Sequence, residues 1–575
     1  MFMPQQVEPA SSGGRAEGLA VGRGPLLIEL ADALFAAGWS RLHLLAVGGA
    51  PIDPERMAQC LRRARRTNPE AELCEAARLP AAAAAEIGAW REAVRPYRWV
   101  AYGSADGPSD EMRLLQEACR EERKAFVPVL RIGQVGIAGP LTRPDGGTAW
   151  ESAWRRIHKS VLGLDEERTA FTAAAGALLA GVAAAALRRA VPDADAGGGA
   201  AEPDPARSFY LLNLATLEGR FHAFIPHPLP LAAGNPEFAR VADPMRLAEA
   251  PGEEAGEAAK KLPGGCANEA ETDDSAKLPP ESAGDDEEPL LACFKRWTSP
   301  VAGIFRAWDE GELTQLPLSL CRVEPADPLS EGPVRTLPPL IRAGITHAEA
   351  RREAGLAGIE AYAARLAGPF LPAGPAPFGV GAGATAREAL SRALLHALAE
   401  AQKRGAAGRP PAARPLRLGR VNDARLRFEW RALAILQGTP AAALFDDGLG
   451  CPVVWVGAGG RWHGCVGFDA EGAFRSALRR ALLYAQCGEG ALPEVQGWEA
   501  PDLKLLPEEP VTLEVEAGER SARQAQERLL PAVLNRLKRA GRRIAVWDLA
   551  AEPFLREDLG AVLGVALEKE EEGRP

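Results

Sequence analysis

No two of the chain's nine cysteines form a Cys-x-x-Cys pair, and none clusters with the seven histidines at zinc-ligand spacing. A zinc site written into the sequence is therefore not expected. The scattered, odd set (Cys60, Cys74, Cys119, Cys266, Cys293, Cys321, Cys451, Cys465 and Cys487) fits reduced thiols in a cytoplasm rather than a disulfide framework. Met1–Glu17 lacks the apolar core of a signal peptide. The uncharged run Phe171–Leu187 is alanine-rich and short for a bilayer, so it reads as a buried helix and no membrane partner is expected. Basic excess is also missing. The formal net charge is −10, and Glu249–Leu290 alone holds thirteen acidic residues against three lysines. The rest is near neutral, which argues against a nucleic-acid face. There is no P-loop, no His-Glu-x-x-His and no Ser/His/Asp arrangement.

What is present is an α/β pattern. At 575 residues the chain is too long for one core. Gly18–Gly24 is a short apolar run ending in a glycine turn, and Pro25–Gly38 reads as a helix. Arg41–Val47 reads as a strand and Asp53–Arg66 as a second helix. Arg98–Tyr102, Ser109–Arg123 and Ala125–Ile132 continue the alternation, the opening of a Rossmann-like unit. Its dinucleotide turn is degenerate. Gly22 and Gly24 are present, but Leu27 stands at the third glycine position and the second strand ends without an acid. Both departures argue against a plain small-molecule Rossmann enzyme. Trp150 and Trp154, one helical turn apart, should pack inward. Ser208–Leu217 and Arg220–Ile225 should form a hairpin around Glu218-Gly219.

Beyond Glu249–Leu290, which reads as a disordered acidic linker, the pattern restarts. Pro300–Phe305 and Leu316–Val323 read as strands. Thr346 and Glu349 then form a capping box opening a long helix, on which Glu349, Glu353 and Glu360 share a narrow arc. Three carboxylates on one face suit a hard cation, and through it phosphate; they equally suit a solvated face. Thr385 and Glu388 repeat the box ahead of a helix to about Arg404, where Glu400 and Arg404 form an i,i+4 pair. Asp469 repeats the cap more loosely ahead of a helix to Cys487. His347 should be exposed beside the first cap.

The glycine turn, Gly139-Pro140-Leu141 and Ile225-Pro226-His227-Pro228 resemble the ThiF-like adenylating fold. Trp150–His158, the crossover helix and Phe224–Pro228 more closely resemble thiazole-containing bacteriocin maturation proteins, in which a degenerate ThiF-like domain precedes a YcaO-like region. The resemblance implies an α/β fold: a Rossmann-like, ThiF-type N-terminal domain (18–230), an acidic linker (231–292) and a YcaO-like α/β domain (293–575), after a disordered tail (1–17). Gly147-Thr148-Ala149-Trp150 stands where the family's first zinc pair falls. The chain starts almost at its first strand, so a leader-clamping winged-helix segment is not expected.

YcaO domains use ATP to activate a backbone amide during azoline formation, with glutamates one turn apart binding magnesium and phosphate. Carried over, Glu360 matches the second glutamate of the first helix, but Ala357 replaces the first. His396 and Ala399 stand at the second helix's positions unless a one-residue shift brings in Glu400. Leu483 or Tyr484, with Gln486, stand in the third. The leading expectation is a scaffold or pseudoenzyme that docks a ribosomally made precursor peptide and the YcaO cyclodehydratase or flavin dehydrogenase of the pathway, with a homodimer conceivable. The alternative is an active cyclodehydratase using ATP and magnesium through Glu353, Glu360 and Glu400.

Overall fold

A computed structural model describes residues 18–47, 52–76, 79, 83–146, 149–165, 169–190, 204–231, 236–249, 289–371, 376–405, 412–446, 450–488, 498–500, 503–516 and 522–569. The expected tail 1–17 and the acidic residues 250–288 lie outside these. The chain divides into two compact units, Met1–Leu231 and Ala232–Pro575.

In the first unit the strands β1 (Gly18–Gly22), β2 (Arg41–Ala46), β3 (Glu72–Glu75), β4 (Trp99–Ser104), β5 (Ala125–Ile132), β6 (Val135–Ala138), β7 (Ser208–Asn213) and β8 (Gly219–Ala223) form one sheet. Its order is β3-β2-β1-β4-β5-β6-β7-β8. The first five strands are parallel, and β5 to β8 pair antiparallel. This is the doubly wound order, with its crevice where β1 and β4 diverge. Helices α1 (Pro25–Ala36), α2 (Pro54–Thr67), α3 (Ile87–Val94) and α4 (Asp110–Glu121) make the crossovers. Trp150 and Trp154, on the short α5 (Ala149–Trp154), are buried and stacked, with centroids 5.6 Å apart. The apolar run forms α6 (Ala173–Ala190). By length and composition α6 could cross a membrane. Its Leu179, Ala180, Ala183 and Leu187 are instead buried in the core with Leu26, Leu30 and Leu34 of α1.

Among the described residues the second unit carries three sheets. They are β9 (Phe305–Asp309), β10 (Ser319–Pro325) and β11 (Leu340–Gly344), in order β11-β10-β9; β12 (Phe378–Gly383), β20 (Arg542–Asp548) and β21 (Ala561–Lys569), in order β12-β21-β20; and a seven-stranded sheet. The last contains β13 (Ala412–Val421), β14 (Ala441–Phe445), β15 (Val453–Ala458), β16 (Arg461–Val466), β17 (Trp498–Ala500), β18 (Lys504–Leu505) and β19 (Val511–Val515). The first expected strand therefore forms later than placed, at Phe305–Asp309 rather than Pro300–Phe305. Gly303 lies in the turn before it, so close to the Ser299 amide that a Cβ would approach to 2.3 Å.

Residues 236–249, expected within a disordered linker, are folded. The Val241 amide donates to the Val546 carbonyl and the Asp548 amide to the Ala239 carbonyl, both at 2.8 Å, so this segment pairs with the edge strand β20. Leu247 and Ala248 on α8 (Pro244–Glu249), after the four-residue α7 (Pro228–Leu231), enter the core. At the linker's other end, α9 (Pro289–Trp297) buries Leu290, Leu291, Phe294 and Trp297. Charge counting missed both because a few apolar side chains and a free strand edge suffice to order short segments.

The three strand–cap–helix repeats are real. Strand β11 leads α10 (His347–Ala367), β12 leads α11 (Ala386–Gly405), and β16 leads α13 (Ala470–Cys487), with α12 (Ala424–Gln437) between the last two. Thr346 Oγ1 accepts from the Glu349 amide at 3.2 Å, and the Glu349 carboxylate accepts from the Ile345 amide at 2.9 Å. Thr385 and Glu388 form the same box, with Glu388 accepting from the Ala384 amide at 2.9 Å. Asp469 caps α13 through the Gly472 amide. Thr346→Ala should lower stability by about 1 kcal/mol, seen as a shifted urea midpoint with an unchanged slope. An unchanged midpoint would show that the cap contributes nothing.

Candidate functional site

All three repeated helices meet one cavity of about 1370 Å³ inside the second unit. Arg342 on β11 and Glu353 and Glu360 on α10 line one wall. Glu388, Ser391, Arg392, His396 and Glu400 on α11 line another, with Cys465 on β16 and Arg475, Arg479 and Arg480 on α13 opposite. The start of α14 (Ala522–Arg539), including Arg523 and Glu527, completes it. Convergence follows from the repeats, because each strand delivers its helix with the same face inward.

Helix α11 lies close on β12 because β12 reads Phe-Gly-Val-Gly-Ala-Gly. A Cβ on Gly381 would sit 2.2 Å from the Ala389 carbonyl oxygen, and one on Gly379 would sit 2.3 Å from the Ala393 carbonyl oxygen. This contact brings Arg392 down to α10. Arg392 Nε donates to Glu360 Oε1 at 2.5 Å and one Nη to Oε2 at 3.2 Å. The other Nη donates to Glu353 Oε2 at 2.7 Å. Glu360, only 2% exposed, also accepts from the Ala382 amide at 3.1 Å. The two carboxylates that were candidates for magnesium and nucleotide thus hold a guanidinium.

Burial raises the Glu353 carboxyl, but Arg392, Arg352 and Arg479 outweigh it and hold it down at about 2. Burial likewise pulls Arg392 down, and Glu353 and Glu360 raise it well above the ordinary arginine value. Arg342, behind them, is lowered to about 10 by burial. The His396 Nδ1 lies 2.6 Å from the Val380 carbonyl oxygen, and burial lowers its value, favouring the neutral ring. A second pair repeats the arrangement: Arg352 reaches both Glu388 oxygens at 2.8 Å. Toward the rim, Asp423 pairs with Arg475 at 2.9 Å and Glu429 with Arg479 at 3.0 Å.

Of the two readings of the shared arc, a three-carboxylate cation site does not form. Glu349, which is not a lining residue, turns back to cap its own helix and pairs at 2.9 Å with Arg425, which is one. Its geometry is that of the cap that the capping-box spacing predicts. Glu400 lines the cavity but pairs with Lys403 at 3.0 Å. Ala357 is fully buried in packing. Gln486 spends its carboxamide on the backbone of Leu318, accepting from its amide and donating to its carbonyl, each at 2.9 Å. His347 is 62% exposed at its side chain, as expected. Nine acidic and nine basic side chains are among the described residues that line the cavity. Among the described residues no group of three or more His, Cys, Asp or Glu side chains could hold a metal ion.

Sequence reasoning found the glutamates but not Arg392 or Arg352. Arg392 sits one turn before His396, at the level where the second helix was searched for acids. That placement was the available signal.

In the first unit, Gly22 and Gly24 stand at the crevice. A Cβ on Gly22 would meet the Gly103 carbonyl oxygen at 2.4 Å, and Gly24 has φ +63°. Arg23, between them, donates to Glu111 at the start of α4 at 2.6 Å, spanning the mouth from β1 to the helix after β4. Leu27, at the third glycine position, is 1% exposed and part of the core. The turn's geometry persists, and the Arg23–Glu111 pair crosses its mouth.

No family model matches the chain, and no curated protein matches it in sequence. Among solved structures, a heterocyclase in complex with substrate and cofactor is similar with a TM-score of 0.52 over 96% of this chain and 80% of that one, at 13% identity. The heterocyclase TruD gives 0.47 over 97% and 81%, at 14% identity. E. coli MccB with MccA gives 0.29 over 38% and 67%, at 13% identity. The first likeness is one of fold across nearly the whole chain, in keeping with a Rossmann-like first unit followed by a second α/β unit.

Proposed function

We propose that this chain serves the maturation of thiazole- or oxazole-modified peptides as a docking partner, and that ATP-dependent chemistry is done by another protein. It would bind a precursor peptide together with the cyclodehydratase or flavin dehydrogenase that modifies it. The fold likeness to a heterocyclase that binds substrate and a cofactor supports the pathway. The observation that carries the non-catalytic reading is the Arg392 guanidinium clasped by Glu353 and Glu360. A divalent cation needs carboxylate lone pairs, and here guanidinium N–H groups take them. Binding magnesium would require Arg392 to leave both partners, and breaking a buried pair costs about 3–5 kcal/mol.

Calorimetric titration of the full chain with magnesium-ATP should give no saturable heat in the micromolar range. Micromolar binding that disappears in Glu360→Ala would overturn the proposal.

The second reading, an active cyclodehydratase, is favoured by one observation: Glu353, Glu360 and Glu400 all line the same large cavity. Phosphate released when a Cys-, Ser- or Thr-rich precursor peptide is added would establish it.

A further inference from the structure

The outward face of α12 has the wrong composition for solvent. Ile435 is 84% exposed, Phe428 48% and Leu436 45%. Phe428 and Ile435 are seven residues apart, so they stand nearly in line on one side of the helix. Arg427 and Arg431, both exposed, lie along one side of that line. Leu426, Glu429, Ala432 and Leu433 of the same helix are buried, and Glu429 is fixed to Arg479 of α13. The helix is thus anchored inward and leaves Phe428 and Ile435 outward beside two guanidiniums. Large exposed apolar side chains edged by charge are the mark of an interaction site.

We infer that this face docks an acidic amphipathic peptide segment of another protein, its apolar side chains on Phe428 and Ile435 and its carboxylates on Arg427 and Arg431. Three considerations select this occupant. The basic flank calls for acid on the partner. A second copy fits poorly, because an isologous antiparallel pairing that sets Phe428 against Ile435 of the copy brings the two Arg431 side chains together at the centre. The chain's own acidic stretch supplies charge, but between Pro251 and Glu288 its only large apolar side chains are Leu262 and Leu278. The inference rests on the docking reading for its biological use; the surface itself is tested without nucleotide, so the two can fail separately.

The test is fluorescence anisotropy of a labelled synthetic helical peptide, two heptads with glutamates flanking a leucine stripe, titrated with the full chain. Saturable binding is expected, weakened on the order of tenfold by either Ile435→Ser or Arg431→Glu, and weakened by added salt. A lysine version of the peptide should not bind. Because these side chains are solvent-exposed, both variants should keep the wild-type circular dichroism and melting temperature. Absence of saturable binding overturns the inference, and so does binding indifferent to both substitutions. Two further results would also overturn it: self-association of the chain abolished by Ile435→Ser, or flotation with phosphatidylserine vesicles abolished by the same change.

Discussion

Arg392→Ala lowers the stability of the second unit by about 3–5 kcal/mol at neutral pH. The substitution leaves Glu360 buried without its counter-charge and strips Glu353 of its strongest partner. Urea unfolding and hydrogen exchange of the α10 and α11 amides both read the loss. Acid should shrink it. In the wild type the folded value of Glu353, about 2, lies below its ordinary 4.5. Its stabilising contribution is therefore present above about pH 4.5 and fades as the pH falls toward 2. In the variant only Arg352 and Arg479 remain to hold Glu353 ionised, and protonation relieves the repulsion between Glu353 and Glu360, so the two proteins converge on the acid side. Replacing all three groups, Arg392→Met with Glu353→Gln and Glu360→Gln, should recover part of the stability, because the charges of the pair leave together, while Arg342 loses the carboxylates that favour its charged form. The single variant also frees two carboxylates at the cavity wall, so manganese should raise its melting temperature but leave the wild type unchanged. A loss below about 1 kcal/mol for Arg392→Ala would mean that Arg392 is not the counter-ion that the geometry describes.

Gly381→Val is expected to cost about 3 kcal/mol or more. The new Cβ meets backbone rather than a flexible side chain, at 2.2 Å from the Ala389 carbonyl oxygen and 2.3 Å from the Ala393 amide nitrogen. Nothing local can yield, so α11 must lift from β12 and carry Glu388, Arg392 and His396 with it. The Arg392–Glu360 and Arg352–Glu388 pairs lengthen together, and the melting temperature falls with loss of exchange protection across α11. Gly383→Ala should be milder, since its neighbours are farther off, with the Glu388 Cβ and Cγ at 2.8 Å and the Ala389 amide nitrogen at 2.9 Å. Equal effects at the two positions would refute the backbone-contact explanation.

The repeats, their caps and their lead strands were legible in the sequence because they are local. Thr346, Glu349, Thr385, Glu388 and Asp469 act within four residues of themselves, and hydrogen bonding at that range is set by spacing alone. The doubly wound first unit was legible for a similar reason, since Gly22, Gly24 and the buried strands mark a parallel sheet by composition. Helix α12 was not assigned from sequence, and its own surface explains why. Phe428, Ile435 and Leu436 point to solvent, so its apolar residues do not fall on one face.

The sequence by itself therefore determined the fold class, the three strand–cap–helix repeats, and the loss of the dinucleotide fingerprint at Leu27. Tertiary structure alone decided what the glutamates do. Glu349 closes its own helix, whereas Glu353 and Glu360 neutralise Arg392 from a different repeat, and Glu388 neutralises Arg352 from the helix before it. A carboxylate's role is fixed by the nearest cation, and electrostatic energy depends on distance in space rather than along the chain. Those distances, here 2.5 to 2.8 Å across sequence separations of 32 to 39 residues, exist only once α11 has settled on the glycines of β12.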